Sequence, residues 1–424
     1  MTITDLHHAF IASKGISTDT RSITKGSIFF ALKGANFNGN KFAGQALESG
    51  AVLAVIDEPE YEAPDCVLVE DCLDTLQELA SFHRQKLNIP IIGLTGSNGK
   101  TTTKELMYAV LSTKYNVLAT KGNLNNHIGV PLSLLSITDD HEMAIIEMGA
   151  NHQGEIAYLC SICKPDIGYI TNFGLAHLEG FGGKEGVIKG KSELYSFLRA
   201  NKRPALVNAD DPVQLEKTED LERITFATSE NWDYTFQLLG TSTPYLALQS
   251  NDLSIQSHLT GAYNFSNIAA AIALGAHYGV SSVEAKEAIE NYHPTNNRSQ
   301  VQKTKRNTLV VDAYNANPSS MEAALKNIAS LPDGPKWVIL GDMFEMGEYE
   351  AQEHNRIVEL LKQIQPEKAL LVGKAFYQTD ASAFQKFETT EEALEYLKQN
   401  KPRGKTILIK GSRGMRLERT LEFL

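Results

Sequence analysis

Short apolar runs without polar alternation recur along the chain, separated by segments of helical period. This is the pattern of strands covered on both faces by helices. Ser27-Ile28-Phe29-Phe30-Ala31-Leu32 reads as a strand, residues 42–49 as a helix stopped by Gly50, and Val52-Leu53-Ala54-Val55-Ile56 as a second strand. That order predicts a small α/β unit. A second segment opens with Ile89-Pro90-Ile91-Ile92-Gly93-Leu94, passes a glycine-rich turn and enters a helix over about residues 101–112. Apolar runs return at residues 143–147 and 167–171. Strands alternating with helices predict a parallel, doubly wound sheet. Residues 233–259, richer in Thr, Ser, Tyr and Leu, predict a short antiparallel ribbon, and an alanine-rich helix follows over residues 265–276. A third α/β segment begins near Arg298. Its strands are expected at residues 308–312, 337–340, 369–372 and 406–409, with helices between them, such as 319–330 and 352–363.

A chain of 424 residues divides into two to four domains at roughly 100–200 residues each. Its formal net charge of −11 argues against nucleic-acid binding, which depends on neutralising phosphates. The N-terminus lacks the basic start and apolar core of a signal peptide. No run approaches the ~20 apolar residues of a membrane helix. A cytoplasmic protein without membrane insertion is expected. Cys160 and Cys163 form a CxxC, but no second pair completes a zinc site, so two buried or half-buried thiols on a helix face are expected.

The chemistry is clearest at Thr95-Gly96-Ser97-Asn98-Gly99-Lys100-Thr101-Thr102. The usual phosphate-loop spacing, GxxxxGK[ST], is missed because its first glycine falls on Leu94. The physical requirements are still met. Small residues let backbone N–H groups turn toward phosphate oxygens, and the helix that follows points its positive end there. Lys100 supplies charge for the β- and γ-phosphates, and the Thr101 hydroxyl can ligate Mg²⁺. The loop predicts ATP binding and leaves the second substrate open.

Glu147 ends an apolar strand, where ligands bind in parallel sheets, and is a natural Mg²⁺ ligand opposite Thr101. An exposed strand-end acid is the alternative. His177 follows the next strand among small residues, and a lone histidine there is either structural or a ligand. Lys191 falls on an expected helix, and composition alone reads it as a surface lysine.

Taken together, several stretches resemble the Mur ligases, the cytoplasmic amide-forming enzymes of peptidoglycan synthesis. They are residues 95–102, Gly122-Asn123-Leu124-Asn125-Asn126, Glu147-Met148-Gly149-Ala150, residues 171–178, Lys191-Ser192-Glu193, Asn208-Ala209-Asp210-Asp211-Pro212, Asn264 with Asn267, and Lys410-Gly411-Ser412-Arg413. The displaced glycines of the loop are characteristic of that family. Residues 312–321, Asp312-Ala313-Tyr314-Asn315-Ala316-Asn317-Pro318-Ser319-Ser320-Met321, look like the signature of the member that adds D-alanyl-D-alanine to UDP-N-acetylmuramoyl-tripeptide. The Asp-Asn-Pro-Arg motif of the ligase adding the third residue is absent.

The resemblance implies an α/β protein of three domains. A small N-terminal UDP-sugar domain (residues 1–84) and a C-terminal Rossmann-like domain that closes over ATP and binds the dipeptide (298–424) flank a central ATP-binding parallel sheet (85–297). It implies roles as well. The loop, Thr95 to Thr102, would hold ATP. Thr101, Glu147, His177 and a carbamylated Lys191 would hold two Mg²⁺ ions. Asn264 and Asn267 would flank adenine, Arg298 would reach the phosphates, and Asp312 would touch the ribose. Ser17, Thr20 and Arg21 would contact the uridine nucleotide. Asn123, Asn125, Asn126, Tyr314, Asn315 and Asn317 would meet the peptide substrates. Lys100, Lys191, His177 and Arg298 would be catalytic, in a monomer. Three departures stand out: Tyr263 precedes Asn264 where relatives show His, Asn297 replaces a frequent Gly before Arg298, and Val311 replaces an acid before Asp312. The alternatives are a ligase of the same family adding a single amino acid, and a binding protein that uses the loop as a nucleotide switch.

Overall fold

The computed structural model describes residues 1–239, 244–332 and 334–424. Three large sheets follow one another along the chain, with a two-stranded ribbon, Lys33–Gly34 and Phe37–Asn38, beside the first. The first has four parallel strands, Ile16–Ser17, Ile28–Phe30, Leu53–Ile56 and Cys66–Leu68. The second has nine, with Ile91–Thr95 between Ile167–Ile170 and Met143–Glu147. Each of these three is fully buried, which explains why none alternates in sequence. The chain leaves Ile91–Thr95 toward one edge, returns beside it, then crosses to its other side. The carboxyl ends of the three strands therefore share one crevice.

The expected ribbon is present as Tyr234–Leu239, Ala247–Ser250 and Leu253–Gln256, paired antiparallel. It does not stand alone, because Tyr234–Leu239 pairs in parallel with Arg223–Ala227 and so extends the central sheet. Residues 240–243, within the span assigned to the ribbon, lie outside the described residues.

The third sheet has six strands, and only Gln300–Lys303 runs antiparallel. Its parallel strands Thr308–Asp312 and Thr406–Lys410 end in register, Asp312 beside Lys410. Those ends face the crevice of the central sheet.

The helix after the phosphate loop, Lys100–Leu111, packs against the alanine-rich helix Phe265–His277. Alanines 269, 270, 271 and 273 are fully buried and let the two backbones approach, while Leu106, Met107 and Val110 fill the seam. Each such apolar side chain stabilises the packing by about 1.5–3 kcal/mol.

Among the helices without an expectation from the sequence are Ile3–Ala12 and Cys72–Lys86. The second spans the division at residue 84 and fastens the first unit to the central one. Its Arg84 donates to the carbonyls of Cys163 and Lys164 and pairs with Asp166 at 2.7 Å. Cys160 and Cys163 are buried on the helix Glu155–Cys163, their thiols facing Met148. Burial pushes the Cys163 thiol up to about 12. Both cysteines are structural apolar groups.

The same junction holds a buried histidine pair. His7 Nε2 lies 3.2 Å from His83 Nδ1, and His83 Nε2 lies 3.1 Å from the Ile137 carbonyl. A carbonyl only accepts, so His83 carries its proton on Nε2 and receives one from His7. Burial lowers both pKa values below the ordinary 6.5, and for His7 the neighbouring His83 adds to this. Both rings are therefore neutral near pH 7. Below about pH 6.5 the unfolded chain binds protons that the folded chain refuses, so stability falls with pH, by at most about 1.4 kcal/mol per pH unit for each extra proton. Urea midpoints measured between pH 7.5 and about pH 5 should fall, and His7→Leu/His83→Leu should flatten the slope. An unchanged slope would remove the pair as its cause.

Candidate active site

The phosphate loop is short because the strand before it is long. Leu94, where the ordinary motif has glycine, is a buried strand residue, and the strand ends only at Thr95, whose hydroxyl donates to the Met148 carbonyl at 2.7 Å. Gly96 then turns at φ +138°, and a Cβ there would sit 2.0 Å from Thr171 Oγ1. Gly99 caps the helix at φ +81°, with Asn267 Oδ1 2.7 Å from where its Cβ would be. Both positions exclude any side chain. Asn172 fixes the middle of the loop, accepting from the Asn98 N–H and donating to the Asn98 carbonyl. Thr171 Oγ1 donates to that same carbonyl at 2.6 Å.

Lys100 is withdrawn into the loop, its Nζ donating to the carbonyls of Gly96 (2.7 Å) and Ser97 (3.3 Å). Burial lowers its pKa; Glu147 opposes this and Arg298 reinforces it. Glu147 is buried, accepting from Thr101 Oγ1 at 3.0 Å and from Asn125 Nδ2 at 2.8 Å. Lys104 Nζ lies 3.8 Å away from it, a partner that sequence reasoning missed. The signal was there: Lys104 stands one helical turn after Lys100, on the same face. The reading of Glu147 as an exposed strand-end acid is overturned. Among the described residues, no group of three or more His, Cys, Asp or Glu side chains could hold a metal. Thr101 and Glu147 nevertheless offer adjacent hard oxygens, which suits Mg²⁺, an ion that takes one or two protein ligands and completes its shell with phosphate oxygens and water.

Lys191 corrects its reading as a surface residue. It is 1% exposed on the helix Lys184–Ala200, donates to the Ala150 carbonyl at 3.1 Å, and lies 4.8 Å from the Phe181 ring centre. Burial, with Lys100 adding to it, holds its pKa well below the ordinary lysine value. His177 adopts φ +53° at the start of the helix Leu178–Phe181 and contacts the Glu345 carboxylate through Nδ1. Glu345 is itself at φ +62° and belongs to the C-terminal unit.

That unit contributes the opposite wall. Arg298 lies between two left-handed residues, Asn297 (φ +56°) and Ser299 (φ +50°), and asparagine is among the few non-glycine residues that adopt this backbone readily. Its guanidinium stacks 3.7 Å from the Tyr314 ring centre. Asp312 accepts from the Ser299 N–H and pairs with Lys410 at 2.6 Å. Lys410, only 2% exposed, is a second site residue left unassigned from sequence. Asn317 Nδ2 donates to Asn98 Oδ1 at 2.7 Å, and the Leu175 N–H donates to Ser319 Oγ at 2.7 Å. The C-terminal unit thus grips the phosphate loop directly.

One cavity of about 730 Å³ joins these walls. Ser97, Asn98, Gly99, Lys100, Thr101, Thr102, Glu147 and His177 line it from the central unit, with Asn123, Asn125, Asn126, Asn264 and Asn267. Arg298, Asp312, Tyr314, Asn315 and Asn317 line it from the other side. Several side chains are already engaged within the protein. Asn126 caps the helix Gly129–Leu134, and Asn125 holds Glu147. Asn267 Nδ2 donates to Asn264 Oδ1, and its own oxygen accepts from Thr103. These asparagines shape the wall as much as they meet a ligand. Tyr263 is bonded to Ser299. Thr95 and Gly96 stand behind the cavity surface, as Lys191 does. Ser17, Thr20 and Arg21 are not brought to the cavity: Ser17 ends a strand of the first sheet, and Thr20 and Arg21 lie on the short helical turn after it, with Arg21 paired to Asp19 and largely exposed.

Three family models match the chain: "Mur ligase family, catalytic domain" over residues 13–89, "Mur ligase middle domain" over 94–275, and "Mur ligase, glutamate ligase domain" over 297–413. Relatives named UDP-N-acetylmuramoyl-tripeptide–D-alanyl-D-alanine ligase are 34% identical in both Bacillus subtilis and Escherichia coli. They align over 97% and 99% of this chain and 93% and 95% of their own. A MurF crystal structure from Acinetobacter baumannii superposes with a TM-score of 0.88 at 31% identity, covering 99% of this chain and 98% of that one. MurF from Thermotoga maritima in complex with ADP superposes at 0.86 with 27% identity, over 97% of both chains. A phosphate loop shortened by one long strand, clasped by a second α/β unit, and matched from end to end by such relatives makes this chain a member of the Mur ligase family.

Proposed function

We propose that the chain uses ATP to join D-alanyl-D-alanine to UDP-N-acetylmuramoyl-tripeptide. What carries this reading is the single cavity where the phosphate loop meets Tyr314, Asn315 and Asn317, in a chain aligned end to end with relatives named for that reaction. A carboxylate does not acylate an amine directly, because oxide is a poor leaving group. The terminal carboxylate of the tripeptide attacks the γ-phosphorus, the bond to the β-phosphate oxygen breaks, and ADP leaves. The dipeptide amine then attacks the acyl carbon, phosphate departs, and the amine gives up its proton.

Lys100 and Arg298, on opposite walls, neutralise charge on the transferring phosphoryl group. Thr101 and Glu147 would hold one Mg²⁺, and His177 with a carbamylated Lys191 a second; when bound, such ions neutralise the phosphate oxygens. Asn317 closes on the loop and Ser319 on the Leu175 N–H after the neighbouring strand, and together they keep water from the acyl phosphate. Asp312 and the Tyr263 region would receive the nucleoside, and Ser17, Thr20 and Arg21 the uridine end of the other substrate. No helix is long and apolar enough to cross a membrane among the described residues, which agrees with soluble substrates.

The test is ADP release with ATP, each substrate alone, and both together, using tripeptides ending in lysine or in diaminopimelate. Release should require both substrates. Release without them, or with a single amino acid in place of the dipeptide, would refute the assignment.

A further inference from the structure

The C-terminal unit presents a cation that the phosphoryl chemistry does not use. The strand Thr406–Lys410 ends at Lys410, whose charge is spent on Asp312. The chain then turns through Gly411 and Ser412. Ser412 is buried, donates its N–H to the Asp342 carbonyl and accepts the Phe344 N–H on Oγ. The turn is therefore held firmly, and the next residue, Arg413, is carried to the surface with its guanidinium 4.9 Å from the Tyr314 ring centre. Arg298 stacks on the same ring. Among the described residues, neither arginine pairs with a carboxylate, and the buried Arg298 Nε has no hydrogen-bond partner.

Two guanidiniums on one phenol ring repel each other unless each meets an anion. Arg298, close enough to Lys100 to lower its pKa, is placed for phosphate. Arg413, exposed beside Tyr314 and just outside the cavity lining, is left for a second anion. An acceptor dipeptide is a zwitterion: its amine must reach the acyl carbon, while its carboxylate is carried into the closing site and needs a cation with planar donors. An extended dipeptide spans about 7 Å, so its two charged ends need separate partners.

We propose that Arg413, braced against Tyr314, binds the carboxylate of the incoming dipeptide and makes the ligase selective for an acceptor with a free carboxylate one peptide unit from its amine. The inference rests on the function proposed above and names the residue that reads its acceptor.

The experiment compares D-alanyl-D-alanine with its C-terminal amide as acceptors, in the full chain and in Arg413→Ala and Arg413→Lys. The unaltered chain should prefer the acid. In Arg413→Ala, KM for the acid should rise about 10- to 100-fold, the scale of a lost charge-assisted hydrogen bond. The acid–amide preference should collapse, and KM for ATP and for the tripeptide should stay in place. Arg413→Lys should retain part of the preference. A preference that survives Arg413→Ala overturns the proposal, and so does a KM rise confined to the UDP-linked substrate. Absence of ADP release in the unaltered chain would strike the proposed function itself, and is seen before any variant is made.

Discussion

Lys100→Ala should lower ADP formation by roughly 10³-fold or more, the scale on which a single cation acts at a transferring phosphoryl group. This is about 4 kcal/mol of lost transition-state stabilisation. No neighbour can substitute. Lys104 is committed to Glu147, and Arg298 approaches from the other wall beside Tyr314. The same substitution should leave the fold intact or strengthen it. Lys100 is a half-buried cation whose bonds in the protein are to two loop carbonyls, and such a group is held at a cost in stability. Thermal melting and single-turnover ADP release on the same preparation separate the two effects. A variant that melts at or above the parental temperature and no longer turns over assigns Lys100 to chemistry. One that keeps turning over removes the loop from the mechanism.

For Lys191→Ala, activity should drop on the order of 10²–10⁴-fold, in line with the loss of one preorganised charge beside the phosphates, and added formate or acetate should restore part of it. The lysine is buried against Phe181 and the Ala150 carbonyl, and burial, with Lys100 adding to it, disfavours the protonated amine. A neutral amine is the form that attacks CO₂. The nitrogen lone pair forms the new C–N bond, one proton is released, and a carbamate anion stands where a cation was disfavoured. A small carboxylate entering the space left by alanine supplies the same charge. Carbon-13 labelled CO₂ should give a carbamate signal in the parent that is absent from the variant. Full activity in Lys191→Ala without added carboxylate would rule the carbamate out.

Some of this site is plain in the sequence, and the reasons differ by residue. The loop is legible because its demands are local: an apolar strand, glycines at two turns, and a lysine with a hydroxyl neighbour in register. Leu94 looked like a defect only until the strand was seen to run one residue further. Glu147 is legible from its place at the end of a buried run. Lys191 is not, because a lysine on an amphipathic helix gives no local sign of facing inward; burial is set by Ala150 and Phe181, which arrive from other elements. The contact between His177 and Glu345 joins positions far apart in the chain and follows no period. Lys410 is hidden for the same reason, since only the parallel register sets it beside Asp312. The antiparallel ribbon was correctly sensed from composition. Its attachment to the central sheet was not, because pairing between strands is a long-range choice.

The grip of Asn317 on the loop has a consequence for drug discovery. Asn98 is bonded at once to Asn172 beneath it, through its backbone carbonyl, and to Asn317 above it, through its side-chain oxygen, so it is one of the points at which the jaws meet. A compound that takes the place of that hydrogen bond would remove one of the contacts that draw the jaws together, beside Leu175–Ser319 and His177–Glu345. It could imitate a side-chain amide alone and resemble neither nucleotide nor peptide, and intracellular ATP would have less power to displace it than it has over a nucleotide mimic.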